Sequence, residues 1–339
     1  IAEAFAYRKA SIFPQGILSR QQKRIEEKEY PYELIELDRN EKGIFAKRTN
    51  KLPITRFPVD KKQTDKTGTI VVWERPVKNP EFGAYYASID PVSEGKTTTS
   101  DSLCSIFVYK NAAEVTRTTA AGDVEQFLEK DKIVAAWCGR FDDINKTHER
   151  LELIIEWYNA WTVVENNISL FIQHMIARKK QRYLVPKQQI LFLKDLGSNR
   201  TVYQEYGWKN TGTLFKSHLI SYAIEFLREV IDEETDVNGV VINQTLGVER
   251  IPDPMLIKEM LAYYPGLNVD RLVAFGALIA FAKIQQSNRG YSKRQESEDN
   301  SLVKSDNFSK LKYSPFKNIG RNRSRNTNRP SRSGFKNYK

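Results

Sequence analysis

The amino-acid sequence predicts an α/β fold in which one mixed β-sheet is flanked by helices. Two observations predict it. Three apolar segments rich in β-branched and aromatic residues follow one another and can pair as antiparallel strands, and the chain then alternates between helix and strand. In addition, residues 269–286 are apolar nearly all round, which is typical of a buried helix.

The individual elements follow from composition and periodicity. The predicted strands are GTIVVWERP (68–76), AYYASID (84–90), SLCSIFVYK (102–110), KIVAAWCGRF (132–141) and WTVVENN (161–167). Helices are predicted, from apolar residues at helical spacing, over 148–161, 168–183, 215–234, 252–264 and 269–286. From residue 84 onward the order is β-β-β-α-β-α, which is the ribonuclease H arrangement. Residues 20–66 are polar, with few long apolar runs, and are interpreted as a connecting or covering segment.

Composition excludes several classes of protein. The 339 residues contain two cysteines, Cys104 and Cys138, both in apolar segments, which indicates small core residues in a reducing compartment and no zinc site. No segment approaches the ~18 apolar residues of a membrane span, and no signal peptide opens the chain. The three histidines are far apart, so packing or surface roles are expected. The sequence therefore predicts a soluble, intracellular protein with no membrane partner.

Positive charge is concentrated at the C-terminal end. Residues 287–339 carry 14 Lys and Arg against 4 Asp and Glu, a net charge of +10, whereas residues 1–286 carry +1. This tail is rich in Asn, Ser and Arg and is expected to be disordered. Its cations and interleaved aromatic residues suit a phosphate backbone, and an acidic protein is the alternative partner. The candidate DNA contacts in it are Arg321, Arg323 and Arg325.

The octapeptide DPVSEGKT (90–97) differs at one position from the nucleotide-binding P-loop G-x-x-x-x-G-K-[ST]. Asp90 stands where the first glycine should be. A P-loop must also lead from a strand into a helix, because the helix N-terminal amides bind the phosphate. The residues that follow, TTSDSLCSIFVYK, predict a strand instead. We therefore expect no ATP site in this chain.

Three carboxylates stand at the ends of predicted elements. Asp90 ends the strand YYASI, Glu165 ends the strand WTVV, and Asp270 opens the apolar helix. Each has an ordinary explanation, respectively a turn, a polar residue leaving the sheet and an acid at a helix N-terminus. In the ribonuclease H arrangement, however, these three points converge. Three carboxylates there can hold two Mg²⁺ or Mn²⁺ ions about 3.5–4 Å apart, which is the chemistry of phosphodiester hydrolysis.

Five segments of the chain carry a family resemblance. They are AEAFAYRKASIFP, YYASIDPVSEGKTTTSDSLCSIFVY, WTVVENNISLFIQHM, GWKNTGTLFKSHLISYAIEFL and DPMLIKEMLAYYPGLNVDRLVAFGALIAFA. In this order they resemble the nuclease domain of the large terminase subunit of tailed bacteriophages. The resemblance implies that Asp90, Glu165 and Asp270 are the metal ligands and the catalytic residues. It also places Lys216, at the end of a Gly- and Thr-rich loop, near the DNA.

The resemblance has a departure and leaves some roles open. Family members often carry an acid directly after the third ligand and another one turn later, where this chain has Arg271 and Ala274. Asp101 occupies the second acidic position of the first motif and has no assigned role. Lys209 and Arg271 are further candidate DNA contacts.

The implied activity is a two-metal endonuclease that cuts concatemeric viral double-stranded DNA during genome packaging. The implied partners are a portal ring, a small terminase subunit and an ATPase motor, and the implied location is the host cytoplasm at the procapsid portal. No complete P-loop occurs in the chain, so the motor is expected to be absent from it. The predicted organisation is a linker or covering segment (1–66) that follows the ATPase domain, a nuclease domain (67–286) and the basic tail (287–339).

Two alternatives stay open. The first is another ribonuclease H-like nuclease, of the junction resolvase or transposase type. The second is a non-catalytic module that binds DNA or the portal through its tail. The second alternative differs from both nucleases because it does not depend on Asp90.

Overall fold

The computed structural model describes residues 11–57, 65–95, 102–118, 124–190, 205–209, 213–264, 266–289 and 292–296. Its strands are β1 (Glu33–Asn40), β2 (Gly43–Arg48), β3 (Ile70–Val72), β4 (Tyr85–Asp90), β5 (Cys104–Lys110), β6 (Ala113–Thr118), β7 (Val124–Glu129), β8 (Lys132–Gly139), β9 (Trp161–Val164), β10 (Val230–Thr235), β11 (Val241–Leu246) and β12 (Ser292–Glu296). Its helices are α1 (Gln15–Glu26), α2 (Ile144–Tyr158), α3 (Leu170–Ala177), α4 (Thr213–Arg228), α5 (Pro254–Ala262) and α6 (Asp270–Arg289).

Seven strands form the main sheet, in the order β2-β1-β3-β8-β5-β4-β9. Neighbouring strands are antiparallel except β4 and β9, which run parallel. The chain leaves β8, passes through α2 and returns as β9 beside β4, because a parallel strand requires a crossover connection. The predicted mixed α/β fold, with a mixed sheet flanked by helices, is confirmed.

Side-chain alternation along the strands divides the core into two layers. On one face of the sheet, Tyr86 and Phe107 pack against α4 and α6, and the rings of Phe107 and Phe275 are 6.3 Å apart. On the other face, Tyr85 packs against α2 and α3. Successive strand residues point to opposite faces, so Asp90 belongs to the face of Tyr86. The last residue of β4 therefore faces the layer that contains α4 and α6.

Most predicted elements are present with slightly different bounds. The strands predicted over 84–90, 102–110, 132–141 and 161–167 correspond to β4, β5, β8 and β9. The helices predicted over 148–161, 252–264 and 269–286 correspond to α2, α5 and α6. Helix α2 begins earlier than predicted because Asp143 caps it, accepting a hydrogen bond from the Asn145 amide over 2.9 Å.

The helix predicted over 168–183 ends early. α3 ends at Ala177, and Lys179 adopts a positive φ of 58°, which turns the chain. Beyond the turn, Lys180 binds Glu152 of α2, and Arg178 contacts the same carboxylate over 3.2 Å. These ion pairs join α3 to α2 and give the basic end of the predicted helix a structural role.

The helix predicted over 215–234 is wrong in its last residues, where the chain forms a strand. α4 ends at Arg228, and residues 230–246 form the antiparallel hairpin β10–β11. Asp236 closes its turn by accepting hydrogen bonds from the Asn238 and Val240 amides over 2.9 and 2.8 Å, and Gly239 has φ +79°. An Asn-Gly pair flanked by β-branched residues is a hairpin signal that the helical periodicity upstream concealed.

The interpretation of residues 20–66 as only a connecting or covering segment is wrong for its described part. Strands β1 and β2 extend the main sheet, with β1 paired to both β2 and β3. Ile35 is fully buried, and the charged residues elsewhere in β1 concealed the strand. At the other end, α6 continues to Arg289 and β12 pairs with β6, so regular structure extends past residue 286.

The predictions from composition can be compared with the described part of the chain. Cys104 and Cys138 are buried and unbonded, as predicted. His148 is buried, His174 contacts Glu152 over 2.7 Å, and His218 is exposed, which agrees with packing and surface roles. Among the helices that the structure describes, none has both the length and the apolar character needed to cross a membrane.

The P-loop-like octapeptide has a packing explanation for its glycine. The next regular element after it is strand β5, as predicted, and residues 96–101 lie outside the described residues. A Cβ atom at Gly95 would stand 2.0 Å from the Asp142 carbonyl oxygen. Gly95 is therefore required because two backbone segments pass close together at this point.

Replacing Gly95 with Ala should lower the free energy of unfolding by about 2 kcal/mol, because the added methyl group overlaps a backbone atom that is not free to move. The matched control is Gly16→Ala in α1, where nothing lies within 4 Å of the added Cβ atom. That change should leave stability unchanged or raise it by up to about 1 kcal/mol. Urea denaturation measures both, and equal stability of the two variants would contradict the close packing.

Candidate functional site

Asp90 and Glu165 lie side by side where β4 and β9 end, and these strand ends form one edge of the main sheet. The parallel register of β4 and β9 sets Ile89 opposite Val164, so the residue that follows on each strand is a neighbour of the other. The Glu165 amide donates a hydrogen bond to the Ile89 carbonyl oxygen over 3.0 Å, which extends the pairing to the two acids. Their side chains lie within hydrogen-bonding reach of each other.

Asp270 approaches the same edge from α6. It is the first residue of that helix, which packs on β4 and β5. Its Oδ2 atom accepts a hydrogen bond from the Leu103 amide over 2.8 Å, just before β5 begins. In β5, Ser105 lies directly opposite Asp90. Asp270 is therefore near the other two acids, and its charge acts on Asp90.

The three acids are crowded, and the pKa values of Asp90 and Asp270 are raised. Burial raises the pKa of Asp90 well above its ordinary value, and the neighbouring Glu165 and Asp270 carboxylates raise it further. Burial raises the pKa of Asp270 to about 6, while the Leu103 amide and Arg271 oppose this shift. Glu165 is itself 6% exposed. Without a cation, the charged forms of Asp90 and Asp270 are disfavoured.

Lys216 brings positive charge to the acids. It is half-buried in the first turn of α4, the helix that faces the same side of the sheet as Asp90. Its charge lowers the pKa of Asp90 and so offsets part of the effect of burial and of the neighbouring carboxylates. Lys216 is therefore close enough to the acids for its charge to act on Asp90, and its expected contact with DNA stays a prediction.

Lys209 lies on the Glu165 side of the edge. It is exposed and follows Trp208, whose amide donates a hydrogen bond to the Val164 carbonyl oxygen over 2.9 Å. Gly207 permits this close crossing, since its φ is +69° and a Cβ atom there would stand 2.3 Å from the same oxygen. An extended ligand on the acids could therefore also contact Lys209.

The prediction that Arg271 contacts DNA requires correction. Its side chain is 4% exposed and points away from the acids. Its guanidinium group donates to Glu259 over 3.1 Å and to the Ile54 carbonyl oxygen over 3.0 Å. A buried guanidinium group with two protein acceptors is not available to a phosphate in this conformation. Arg271 is therefore no longer a candidate for DNA contact.

Four other predicted residues cannot be placed. Asp101 and the tail residues Arg321, Arg323 and Arg325 lie outside the described residues. Conversely, the structure adds residues that the sequence analysis did not consider. Asn167 donates a hydrogen bond to Glu165, and Asn268 donates to Asp270 over 3.3 Å. Both lie two residues from an acid, so proximity in sequence was an available signal.

The acids fit divalent cations by donor chemistry. Mg²⁺ and Mn²⁺ prefer carboxylate oxygens, and crowded acids of raised pKa are stabilised by a cation. The Ser105 hydroxyl, opposite Asp90, is buried without a hydrogen-bond partner among the residues the structure describes. Within the same residues, no group of three or more His, Cys, Asp or Glu side chains is arranged around one ion. The fit to cations therefore rests on the donor types and on the crowding of the acids.

Replacing Asp90 with Asn should stabilise the protein in EDTA at pH 7.5, on the order of 1 kcal/mol. An acid whose pKa is higher in the folded state than in the unfolded state binds more protons when the protein is folded. Its ionisation therefore lowers the free energy of unfolding as the pH rises through the pKa of the folded state. The gain should therefore disappear near pH 4. Thermal unfolding at both pH values, with the exposed Asp38→Asn as control, measures it. Destabilisation by Asp90→Asn at pH 7.5 would contradict the crowding.

In comparisons with known proteins, no family model matches the chain and no curated sequence is significantly similar to it. Asp90, Glu165 and Asp270 concentrate negative charge at one end of the sheet, and Lys216 and Lys209 place cations beside it. Such an arrangement suits a ligand that brings metal ions and phosphate groups together.

Proposed function

We propose that this chain is a metal-dependent endonuclease with a ribonuclease H-like fold that cuts double-stranded DNA. The observation that carries the proposal is the convergence of Asp90, Glu165 and Asp270 at one edge of the sheet. Asp90 and Glu165 lie within hydrogen-bonding distance of each other, and the charge of Asp270 acts on Asp90. These three carboxylates form the donor set expected for a two-metal phosphodiester hydrolase.

The strand order supports the fold assignment. β8, β5 and β4 are consecutive antiparallel neighbours, and β9 adds to β4 in parallel after the crossover helix α2. This is the order of the first four strands in the ribonuclease H arrangement. The three acids then stand at the end of the first strand, at the end of the fourth strand and at the start of a late helix.

The residues divide the chemistry among themselves. Asp90, Glu165 and Asp270 would hold two Mg²⁺ or Mn²⁺ ions, which when bound activate a water molecule and stabilise the leaving 3′ oxygen. Asp90 acts centrally, because both other acids raise its pKa. Lys216 keeps the net charge of the site from becoming too negative for a phosphate to approach. Lys209, exposed beside Glu165, can bind a neighbouring phosphate of the DNA backbone.

The family resemblance supports a specific biological setting, which is part of the proposal. The substrate would be concatemeric viral DNA, cut during genome packaging in the host cytoplasm at the procapsid portal. The partners would be the portal, a small terminase subunit and an ATPase motor supplied from outside this chain. The tail residues Arg321, Arg323 and Arg325 would add contacts to DNA.

Cleavage of a supercoiled plasmid in Mg²⁺ or Mn²⁺ tests the activity. Asp90→Asn, Glu165→Gln and Asp270→Asn should each reduce the rate at least about 100-fold, beyond the ten- to hundredfold loss typical of residues outside the ligand shell. EDTA should abolish cleavage, and Asp38→Asn should cut at the wild-type rate. Cleavage by all three site variants at the wild-type rate would refute the proposed site, and no cleavage by the folded wild type with either metal would favour the non-catalytic module.

DNA binding in Ca²⁺, followed over a range of salt concentrations, tests the basic residues. Lys209→Gln should weaken binding severalfold and reduce the slope of log K against log salt by about 1, because one phosphate contact is lost. Lys42→Gln, exposed in the β1–β2 turn at the far side of the sheet, is the matched control. Equal slopes for both variants would exclude Lys209 from the interface. Replacing Arg321, Arg323 and Arg325 with Gln tests the tail in the same assay.

A further inference from the structure

We propose that the buried pair Arg271–Glu259 positions Asp270, so that both are positioning residues for the third carboxylate of the site. The inference rests on the proposed function for its consequence, the binding of metal ions, but its structural part can be tested without metal.

Asp270 and Arg271 are consecutive, yet they face different parts of the protein. Asp270 accepts a hydrogen bond from the Leu103 amide over 2.8 Å, at the edge that carries the other acids. Arg271 points into the interior, where it reaches Glu259 of α5 and the Ile54 carbonyl oxygen. Adjacent helix residues are about 100° apart around the axis, so fixing one direction fixes the other.

Glu259 holds the same helix turn at a second point. Its Oε1 atom accepts from Arg271 and its Oε2 atom accepts from the Leu272 amide, both over 3.1 Å. The Leu272 amide is one of the first-turn donors that a helix cannot satisfy internally. Glu259 therefore binds the start of α6 through both a side chain and the backbone.

The start of α6 is bound to two other parts of the protein. Glu259 belongs to α5, whereas Ile54 belongs to the segment before β3 and packs with Leu103 and Cys138. Arg271 thus ties the start of α6 both to α5 and to the layer next to Leu103, the residue that Asp270 itself contacts. A planar guanidinium group can serve two acceptors in fixed directions, which a lysine ammonium cannot do in the same way.

Stability alone is a weak reason for such a pair. Glu259 is 2% exposed and Arg271 is 4% exposed. Replacing a buried ion pair with apolar residues of similar volume is often neutral or stabilising, because both charges must be removed from water. A pair that is retained in the core beside a site residue is better explained by the direction it imposes.

The first test compares Arg271→Lys with Arg250→Lys. Arg250 is a matched control, since it is also buried and binds Asp131 through two contacts of 2.8 Å. Asp131 precedes the first residue of β8, whereas the last residue of β8 lies opposite Cys104, near the acids. The control pair is therefore at the other end of that strand, about 26 Å away at 3.3 Å per residue.

Two quantities are measured on each variant. Hydrogen exchange at the Leu103 amide, in EDTA, reports whether Asp270 still accepts its hydrogen bond, with the central amides of β5 and β8 as internal references. Titration with Mn²⁺ reports the affinity of the site. Arg271→Lys should speed exchange at Leu103 at least fivefold relative to the references and weaken Mn²⁺ binding about tenfold. Arg250→Lys should change neither quantity.

The double variant Glu259→Leu/Arg271→Met separates positioning from stability. It should unfold at or near the wild-type temperature, yet lose protection at Leu103 and bind Mn²⁺ as weakly as Asp270→Asn. Wild-type exchange and wild-type affinity in a folded Arg271→Lys or double variant would overturn the inference. If the double variant does not fold, Arg271→Lys decides, because it keeps the charge. If the wild type binds no Mn²⁺, the proposed function fails, while Leu103 exchange still decides the positioning.

Discussion

The parallel pairing of β4 with β9 is the constraint on which the candidate site depends. It aligns Ile89 with Val164, so the two strands end together and Asp90 and Glu165 become neighbours. An antiparallel partner would have placed the end of one strand beside the beginning of the other. Burial raises the pKa of Asp90 at this point, and repulsion from the neighbouring acids raises it further. The helix α6 then brings a third acid to the same point.

Buried charged side chains elsewhere in the described part of the chain have different neighbours. Several of them meet direct partners of opposite charge, as the structure shows for Lys110 with Glu74 and Glu129, Arg250 with Asp131 and Glu229, and Glu152 with Arg178 and Lys180. At the sheet edge the closest neighbours of an acid are other acids, and Lys216 offsets only part of their charge. Structural ion pairs approach local neutrality, whereas a site for cations does not. This contrast is the physical reason for proposing a function at the edge.

A local sequence pattern does not by itself define the chemistry of a segment. The DPVSEGKT segment resembles a phosphate loop, yet Gly95 packs against the Asp142 backbone and the next regular element is a strand. Arg271 follows Asp270 directly, yet it faces Glu259 while Asp270 faces Leu103. In both cases the backbone conformation decides what a side chain meets. A motif carries its chemistry only when the elements around it have the required type and direction.

The sequence by itself determined the buried strands β4, β5, β8 and β9 and the helix α6, because fully buried elements are continuous apolar runs. It also located the three acids, since each stands where an apolar run begins or ends. It did not determine β1, β2 or the β10–β11 hairpin, whose charged or exposed residues lack such runs. Only the tertiary structure decided that Arg271 binds Glu259 and Ile54, because such partners are distant in sequence. Which charges meet depends on chain crossings that no local pattern encodes.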